Sequence, residues 1–393
     1  MKVAFVNENM LGHASYLLPF VNRFQEHPEL GVTPYLIHAT PVPAPRSYWA
    51  NFSVRGLRKW GLDFGNLRWR TSVSRFVRDQ LDRLCEQQDI DAVVVNTQSV
   101  ALALARWRVS LPLFICLDAT FSQLAASRWF APNSGSRIFL PLTTASLLKR
   151  ERQVLQRAER LLVWSKAVRD SLLEDYGSSP ERVHVLPPSI DLDVRKGADT
   201  VNARPQILFV GGDFKRKGGE LLLDCYRRWF SGTCDLHLVT QSPMDPEPDI
   251  HVHHGVRPFT AAWRECWQSA DVFVFPSELE TFGIVLVEAL AFGVPVISTD
   301  TGAARYILSD GRAGLLLEDR RPETLAQALR RVLGDLPAAR QRARYGRSRV
   351  EEDFDLSKNT QRLATWLEEA VRAARPVSAK EASCERARAV ESA

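Results

Sequence analysis

Short apolar runs alternate with amphipathic segments through the first half of the chain. The runs predict strands, and they are KVAFVN, TPYLIHA, DAVVVN, LPLFICLDAT, RLLVWS and RVHVLPPS. The segments between them, such as SRFVRDQLDRLCEQQ and KAVRDSLLEDYG, have the spacing of helices. Nearly continuous Val, Ile and Leu strands that alternate with helices indicate a parallel sheet covered on both faces.

A second unit of the same kind follows a break in the pattern. Residues 187–205 are rich in Pro, Gly and Asp and have no period, which is typical of a linker. The alternation then restarts with QILFVGG and continues through DVFVFPS, IVLVEALAFG and VPVIST. We therefore predict two doubly wound α/β domains, 1–195 and 196–355. We also expect a helix at 356–375 that packs back on the first domain, and a disordered tail at 376–393.

Composition and charge are those of an ordinary globular protein. The 393 residues carry a formal net charge of +5, so charge gives no reason to expect a nucleic-acid partner. The six cysteines show no CxxC spacing and are interpreted as reduced thiols of a cytoplasmic protein. The longest apolar stretch, ALALARWRVSLPLFICL, is broken by Arg106, Arg108 and Pro112, so we expect no membrane span.

Two glutamates, Glu280 and Glu288, surround an apolar segment that follows the strand-like run DVFVF. The segment IVLVEALAFG predicts a helix, which Thr281 would cap and which Gly293 would end in a left-handed conformation. The amino end of such a helix suits a phosphate. Burying a carboxylate is costly without a partner. The pair therefore either forms surface salt bridges or binds a ligand with hydroxyl groups.

The order Glu280, Phe-Gly, Glu288 and then GVPVI resembles the signature of the family 4 glycosyltransferases, which have the two-domain GT-B fold. The resemblance covers most of residues 155–335 and, more loosely, 1–150. It implies that Glu288 binds the ribose hydroxyls of a nucleotide sugar and that Glu280 contacts the sugar. It also implies that the backbone N–H groups of Phe282, Gly283 and Ile284 face the sugar and phosphate.

The segment GGDFKRKGG follows the strand ILFV and is the candidate diphosphate clamp. Gly211 and Gly212 let the backbone approach a ligand, and Arg216 with Lys217 would meet the negative charge. Many family members carry an arginine where this chain has Gly212, and Arg216 is the residue that would replace it. The alternative is a solvated basic turn. The segment lacks the GK[ST] ending of a Walker loop.

Three residues of the first domain are candidates by resemblance. Gly12 and His13 follow the first strand, where the family has a glycine-containing loop near the acceptor and diphosphate. Asp118 ends the run LPLFICLD, near the position at which many relatives have a histidine close to the reacting carbon. A turn or a helix cap is the alternative interpretation of each.

No metal or other cofactor is expected. The histidines of HVHH, at 251, 253 and 254, have no accompanying carboxylate or cysteine. There are two Asp-x-Asp matches. The one at 89/91 leads into a strand and the one at 191/193 lies in the linker, and neither position suits a metal site.

Residues 46–78 combine eight basic side chains with seven aromatic ones against one acid, Asp63. This composition favours an anionic membrane surface, where rings lie at headgroup depth. The alternative is a helix and loop whose rings fill the core of the first domain.

Together the patterns and the family resemblance predict a metal-independent glycosyltransferase, and the resemblance implies that it retains configuration. It would move a sugar from a nucleoside diphosphate to a glycan or lipid-linked acceptor, in the cytoplasm or on the inner membrane face. Two alternatives stay open, a nucleotide-sugar epimerase or hydrolase and a non-catalytic binding module.

Overall fold

Two parallel six-stranded sheets, each covered by helices, form the structure. A computed structural model describes residues 1–8, 12–43, 46–51, 65–127, 129, 140–192 and 202–374. The strand orders are β2-β1-β3-β4-β5-β6 in the first sheet and β12-β11-β10-β7-β8-β9 in the second. The predicted α/β architecture with two doubly wound units is confirmed.

The first sheet is built from six strands with helices on both faces. Its strands are β1 (Lys2–Asn7), β2 (Thr33–His38), β3 (Ala92–Asn96), β4 (Leu113–Leu117), β5 (Arg160–Val163) and β6 (Val183–Val185). The helices are α1 (His13–Glu26), α2 (Arg46–Asn51), α3 (Gly65–Gln87), α4 (Phe121–Ala126), α5 (Leu140–Arg157) and α6 (Lys166–Glu174). Every residue of β3 and β4 is buried, as expected for central strands that helices cover on both sides.

The second sheet repeats this arrangement. Its strands are β7 (Gln206–Val210), β8 (Asp235–Val239), β9 (Ile250–His253), β10 (Val272–Phe275), β11 (Val296–Thr299) and β12 (Leu315–Leu317). The helices are α7 (Gly219–Trp229), α8 (Ala261–Ser269), α9 (Ile284–Ala291), α10 (Ala304–Ile307), α11 (Pro322–Gly334), α12 (Leu336–Asp353) and α13 (Leu356–Ala374).

The last helix, α13, contacts the first sheet and its helices. Arg160 at the start of β5 forms an ion pair with Glu369, with 2.6 Å between Nη2 and Oε2. The rings of His184 in β6 and Trp366 lie 4.6 Å apart. One apolar cluster accordingly contains residues of both sheets together with α13.

Strand order determines where loops from the two units meet. In the first sheet the order reverses between β1 and β3, and in the second it reverses between β7 and β10. Ligands of open α/β sheets bind at such points, beyond the carboxyl ends of the strands. The loops after these four strands are therefore the expected walls of a binding cleft.

Two local features of the structure bear on the sequence predictions. Thr281 does not cap α9, because the residue before the helix is Gly283, at φ 96°, and no side chain caps it. Gly293 has the expected left-handed conformation, at φ 68°. Five cysteines are unpaired thiols, and Cys384 lies outside the described residues.

Candidate active site

A cavity of about 610 Å³ lies between the two units, and loops from both line it. The first unit contributes residues after β1, β3 and β4, and the second contributes residues after β7 and β10. The cleft is therefore at the two switch points of the sheets.

Glu280 is the centre of an ion-pair cluster in the wall of this cleft. Its side chain is 8% exposed, and its Oε1 accepts hydrogen bonds from Lys217 Nζ and, at 3.3 Å, from Arg216 Nη1. Ser277 Oγ donates to the same oxygen at 3.1 Å. The sequence left open whether this glutamate is salt-bridged or faces a ligand, and the geometry shows that it is salt-bridged inside the cleft.

Lys217 is held in place from several sides. Its ammonium group lies 5.1 Å from the centre of the Phe275 ring and bonds Glu280. Burial lowers the pKa of the Lys217 side chain, and the Glu280 carboxylate opposes this shift. An anion that enters the cleft would stabilise the charged form.

Arg216 links the loop after β7 to the loop after β10. Its Nη1 donates to the Leu279 carbonyl at 2.8 Å, and its own carbonyl accepts from Glu278 N at 2.9 Å. Its guanidinium group lies 5.3 Å from the centre of the Trp129 ring of the first unit. The arginine is thus fixed at the boundary between the two walls.

Glu288 is buried in α9, with 6% of its surface exposed, and lines the cleft. Among the described residues Trp263 is the one that donates a hydrogen bond to this carboxylate, at 3.3 Å from Nε1 to Oε2. Burial raises the pKa of Glu288 to about 7, and the Trp263 hydrogen bond offsets part of the rise. A ligand that supplies hydroxyl donors would compensate for this burial.

The amino end of α9 also faces the cleft. Phe282, Gly283 and Ile284 are in its lining, and the first N–H groups of a helix have no partner within it. The loop after β11 packs tightly against this segment, because a Cβ on Gly302 would lie 2.9 Å from Glu280 Cβ. Gly302 has φ +59° and was not singled out from the sequence.

Three glycines in the loop after β7 flank Lys217, at 211, 212 and 218, and they differ in how much room a side chain would have. Gly218 has φ +82°, and a Cβ there would lie 2.1 Å from the Pro276 carbonyl oxygen. A Cβ on Gly211 would lie 2.9 Å from Lys217 Cβ, whereas Gly212 has no atom within 4 Å of that position. A methyl group would therefore clash at Gly218, most severely, and at Gly211, but would meet nothing at Gly212.

We expect Gly218→Ala to lower the free energy of unfolding by at least about 2 kcal/mol, because strain at positive φ adds to a backbone clash. Gly212→Ala is the matched control and should change it by less than about 0.5 kcal/mol. Urea denaturation of both variants checks this prediction, and equal midpoints would contradict it.

On the first-unit wall, His13 and Asp118 face each other across the ends of β1 and β4. Their Nε2 and Oδ2 atoms are 3.7 Å apart. Among the described residues His13 Nδ1 is buried without a hydrogen-bond partner. A Cβ on Gly12 would lie 3.4 Å from Ile284 Cδ1, so this loop touches the amino end of α9.

The sequence did not indicate two further charged residues in the cleft, Glu8 and Arg70. Glu8 directly follows β1, is 6% exposed, and accepts from Thr97 Oγ1 at 2.9 Å. Burial raises its pKa, and His13 opposes the shift. Burial lowers the pKa of Arg70, and Glu8 opposes that shift. The position of Glu8 after a strand was a signal that sequence analysis could have used.

A buried carboxylate supports this wall from behind. Glu151 of α5 is fully buried and accepts hydrogen bonds from Tyr176 OH, from Phe121 N at 2.9 Å and from Gln98 Nε2 at 3.2 Å. Burial raises its pKa to about 7. Gln98 itself lines the cleft, so Glu151 positions the cleft wall without facing the ligand space.

Residues 46–78 divide into parts with different environments, and 52–64 of them lie outside the described residues. Trp69 and Arg70 line the cleft, so these two are not available to a membrane surface. Asp79, one residue beyond the segment, forms ion pairs with Arg46 at 2.7 Å and with Arg78 at 3.2 Å. In the described helices, part of the positive charge that the sequence suggested for a membrane surface is therefore paired with Asp79 or lies in the cleft.

The histidines of HVHH do not line the cleft. His253 Nε2 lies 3.0 Å from Nδ1 of His237 in the neighbouring strand, and burial lowers the pKa of His237 to about 4. In the part of the chain that the structure describes, no three His, Cys, Asp or Glu side chains are grouped as a metal site. Among the same residues, no helix is long and apolar enough to cross a bilayer.

Solved structures with this two-domain arrangement match most of the chain. Sucrose-phosphate synthase from Thermosynechococcus elongatus has a TM-score of 0.69 at 17% identity, over 95% of this chain and 100% of that chain. The Anabaena protein HepE, in complex with UDP-glucose, has a TM-score of 0.63 at 16% identity, over 94% and 100%. The fold is therefore that of the GT-B class of glycosyltransferases.

Family models give the finer assignment. A model described as "Glycosyltransferase Family 4" matches residues 20–194, and one described as "Glycosyl transferases group 1" matches 204–335. The chain belongs to the family 4 glycosyltransferases. The D-inositol 3-phosphate glycosyltransferase of Paenarthrobacter aurescens (strain TC1) is 29% identical over 228 residues, 51% of this chain and 55% of that protein. The chain spans 55–60% of the length of three curated relatives that it matches.

Proposed function

We propose that the protein transfers a sugar from a nucleoside diphosphate to a hydroxyl-bearing acceptor, with retention of configuration and without a metal ion. The observation that carries this proposal is the convergence of Lys217, Arg216, Glu280 and Glu288 on one cleft, beside the amino end of α9. Two cations and a helix amino end suit a diphosphate, and two carboxylates suit the hydroxyls of ribose and sugar.

The donor would lie along the second-unit wall. An apolar part of the lining, formed by Val210, Val239, Val256 and Pro258, has the character expected of a base pocket. Glu288 lies in the same wall and would accept hydrogen bonds from the ribose hydroxyls. The diphosphate would then reach Lys217 and Arg216, and the sugar would meet Glu280.

Negative charge on the leaving diphosphate grows as the bond between the sugar's anomeric carbon and the phosphate oxygen breaks. Lys217, Arg216 and the N–H groups at the start of α9 would stabilise this charge. Electrostatic stabilisation of this kind is usually the largest contribution to catalysis in such sites. The acceptor oxygen would form the new bond on the same face of the sugar, and its proton would pass to the departing phosphate oxygen.

The acceptor would enter from the first-unit wall. Glu8, Gln98, Asn66 and Asp118 line that wall and offer hydrogen-bond acceptors to hydroxyl groups. A glycan or lipid-linked sugar has such groups. Attachment to an anionic membrane through the remaining basic residues of 46–78 stays a prediction, and so does the cytoplasmic location.

We expect transfer from nucleoside diphosphate sugars to survive EDTA, because protein cations and a helix end already meet the diphosphate charge. The assay measures release of UDP, GDP or ADP from their sugars with a mixture of membrane glycolipids as acceptor. The Lys217→Ala variant, which should lose kcat, controls for release by contaminants. If EDTA abolished turnover and Mn²⁺ restored it, the metal-free mechanism would be wrong, and conversion of donor without acceptor would favour an epimerase or hydrolase.

A further inference from the structure

A second cavity, of about 510 Å³, lies on the outside of the first unit and is lined mainly by basic and hydroxyl side chains. It opens between α3 and α5, above the short 3-10 helix of residues 102–106. We call it the basic groove. Its charged lining residues are Arg75, Arg78, Arg106, Lys149 and Arg150, and none of its lining residues is acidic.

Four of these five cations have no acidic partner in the described part of the chain. Arg75, Arg106, Lys149 and Arg150 are exposed, and no described carboxylate lies within 4.0 Å of their charged groups. Arg78 shares Asp79 with Arg46. Like charges that line one cavity repel one another, and a bound anion would relieve this repulsion.

Nearby carboxylates are turned away from the groove. Glu151, next to Arg150 in sequence, is fully buried and bonded to Tyr176 and Gln98. Asp82 of α3 accepts a hydrogen bond from Trp107 Nε1 at 2.6 Å. Glu151 and Asp82 are therefore engaged elsewhere, and Asp79 is the described acid that pairs with a cation of the groove, Arg78.

The uncharged groups of the groove complement the cations. Thr71, Ser74, Ser146 and Gln153 are in the lining and can donate hydrogen bonds. Guanidinium and ammonium groups together with hydroxyls are the donors that bind phosphate oxygens best. The volume has room for more than one phosphoryl group.

We propose that the basic groove is a second ligand site, which binds a phosphate or pyrophosphate oxyanion. It shares no lining residue with the cleft. The two are close, since Arg70 of α3 lines the cleft and Arg75 lies about 8 Å further along the helix axis. The proposal does not depend on the transfer reaction, and its test is a binding measurement.

The test is calorimetric titration with inorganic pyrophosphate in a Lys217→Ala background, which weakens binding in the cleft. The groove variant replaces three exposed cations by glutamine, at Arg75, Lys149 and Arg150. The control replaces three exposed cations elsewhere, at Arg257, Arg331 and Arg344. Both variants lose the same net charge, and their unfolding midpoints show whether each is folded.

We expect the dissociation constant for pyrophosphate to rise at least about tenfold in the groove variant and less than about twofold in the control. The single variant Arg150→Glu gives a second measurement with one exposed position changed, and it should also weaken binding. Equal binding by groove and control variants would overturn the proposal.

Co-sedimentation distinguishes a lipid headgroup from a soluble phosphate as the natural source. Vesicles of phosphatidylcholine alone are compared with vesicles that also contain phosphatidylglycerol. If the anionic vesicles bind the control but not the groove variant, the phosphate belongs to lipid. If neither vesicle binds while pyrophosphate does, the ligand is soluble. Both of these outcomes support an oxyanion site.

Discussion

Replacing Lys217 by alanine should lower kcat by about two to three orders of magnitude, the usual cost of removing one preorganised group that stabilises charge in a transition state. The side chain is fixed by Glu280 and by the Phe275 ring, so the ammonium group needs no reorganisation when the leaving charge develops. Donor KM should change less than kcat, because the charge on the diphosphate grows toward the transition state.

Lys215 provides a matched control for this experiment. It lies two residues earlier in the same loop, carries the same charge, is exposed and does not line the cleft. Lys215→Ala should leave kcat within about twofold of the wild type. Steady-state kinetics of the two variants with a common donor decide the matter, and equal kcat values would remove Lys217 from the mechanism.

Replacing Glu288 by alanine should act mainly on donor binding, with a rise in donor KM of about 10- to 100-fold. Hydrogen bonds to a charged group in a buried site are worth about that factor. Glu288→Gln keeps the shape of the side chain and an acceptor for Trp263, so its KM should be intermediate. Steady-state kinetics measure both, and an unchanged KM in the alanine variant would show that the carboxylate does not hold the donor.

The raised pKa of Glu288 gives this prediction a pH dependence with a definite sign. The carboxyl is half protonated near pH 7, and ribose hydroxyls donate better to the ionised form. Donor KM of the wild type should therefore fall as the pH rises through about 7. The Glu288→Gln variant has no group that ionises at this position, and its KM should lack that change.

Much of the fold and of the second-unit wall of the cleft could be predicted from the sequence, because both are local in the chain. Buried strands such as β3 and β4 are continuous apolar runs, and their alternation with helices determines a doubly wound sheet. Glu280 and Glu288 lie within one strand-turn-helix segment, and the order of residues in that whole run indicated a common site.

The first-unit wall of the cleft could not be predicted in the same way, because it is assembled from distant parts of the chain. Glu8 follows β1, Gln98 follows β3 and Arg70 lies in α3, and the fold brings these three distant residues together. Arg70 also lies in a basic and aromatic stretch whose composition favoured a membrane surface. Composition records which residue types are present, but it does not tell which face of α3 they occupy.

The amino end of α9 shows the limit of local rules. Thr281 is a good capping residue, and the sequence favours it. The structure instead has Gly283 at φ 96° before the helix, and Gly302 packs against Glu280 and Thr281. Contact with a loop that follows another strand determines this conformation, and the local pattern contains no sign of it.

The Glu288 variant also provides the most direct test of the central claim, that the second-unit wall binds a nucleoside diphosphate sugar. Thermal unfolding of the wild type, of Glu288→Ala and of the exposed control Glu220→Ala is followed with UDP, GDP and ADP. A cognate nucleotide at 100 times its dissociation constant should stabilise the wild type and the control by about 2.7 kcal/mol. A 100-fold weaker site would leave about 0.4 kcal/mol in Glu288→Ala. Stabilisation of all three proteins to the same extent, or of none by any nucleotide, would contradict the account.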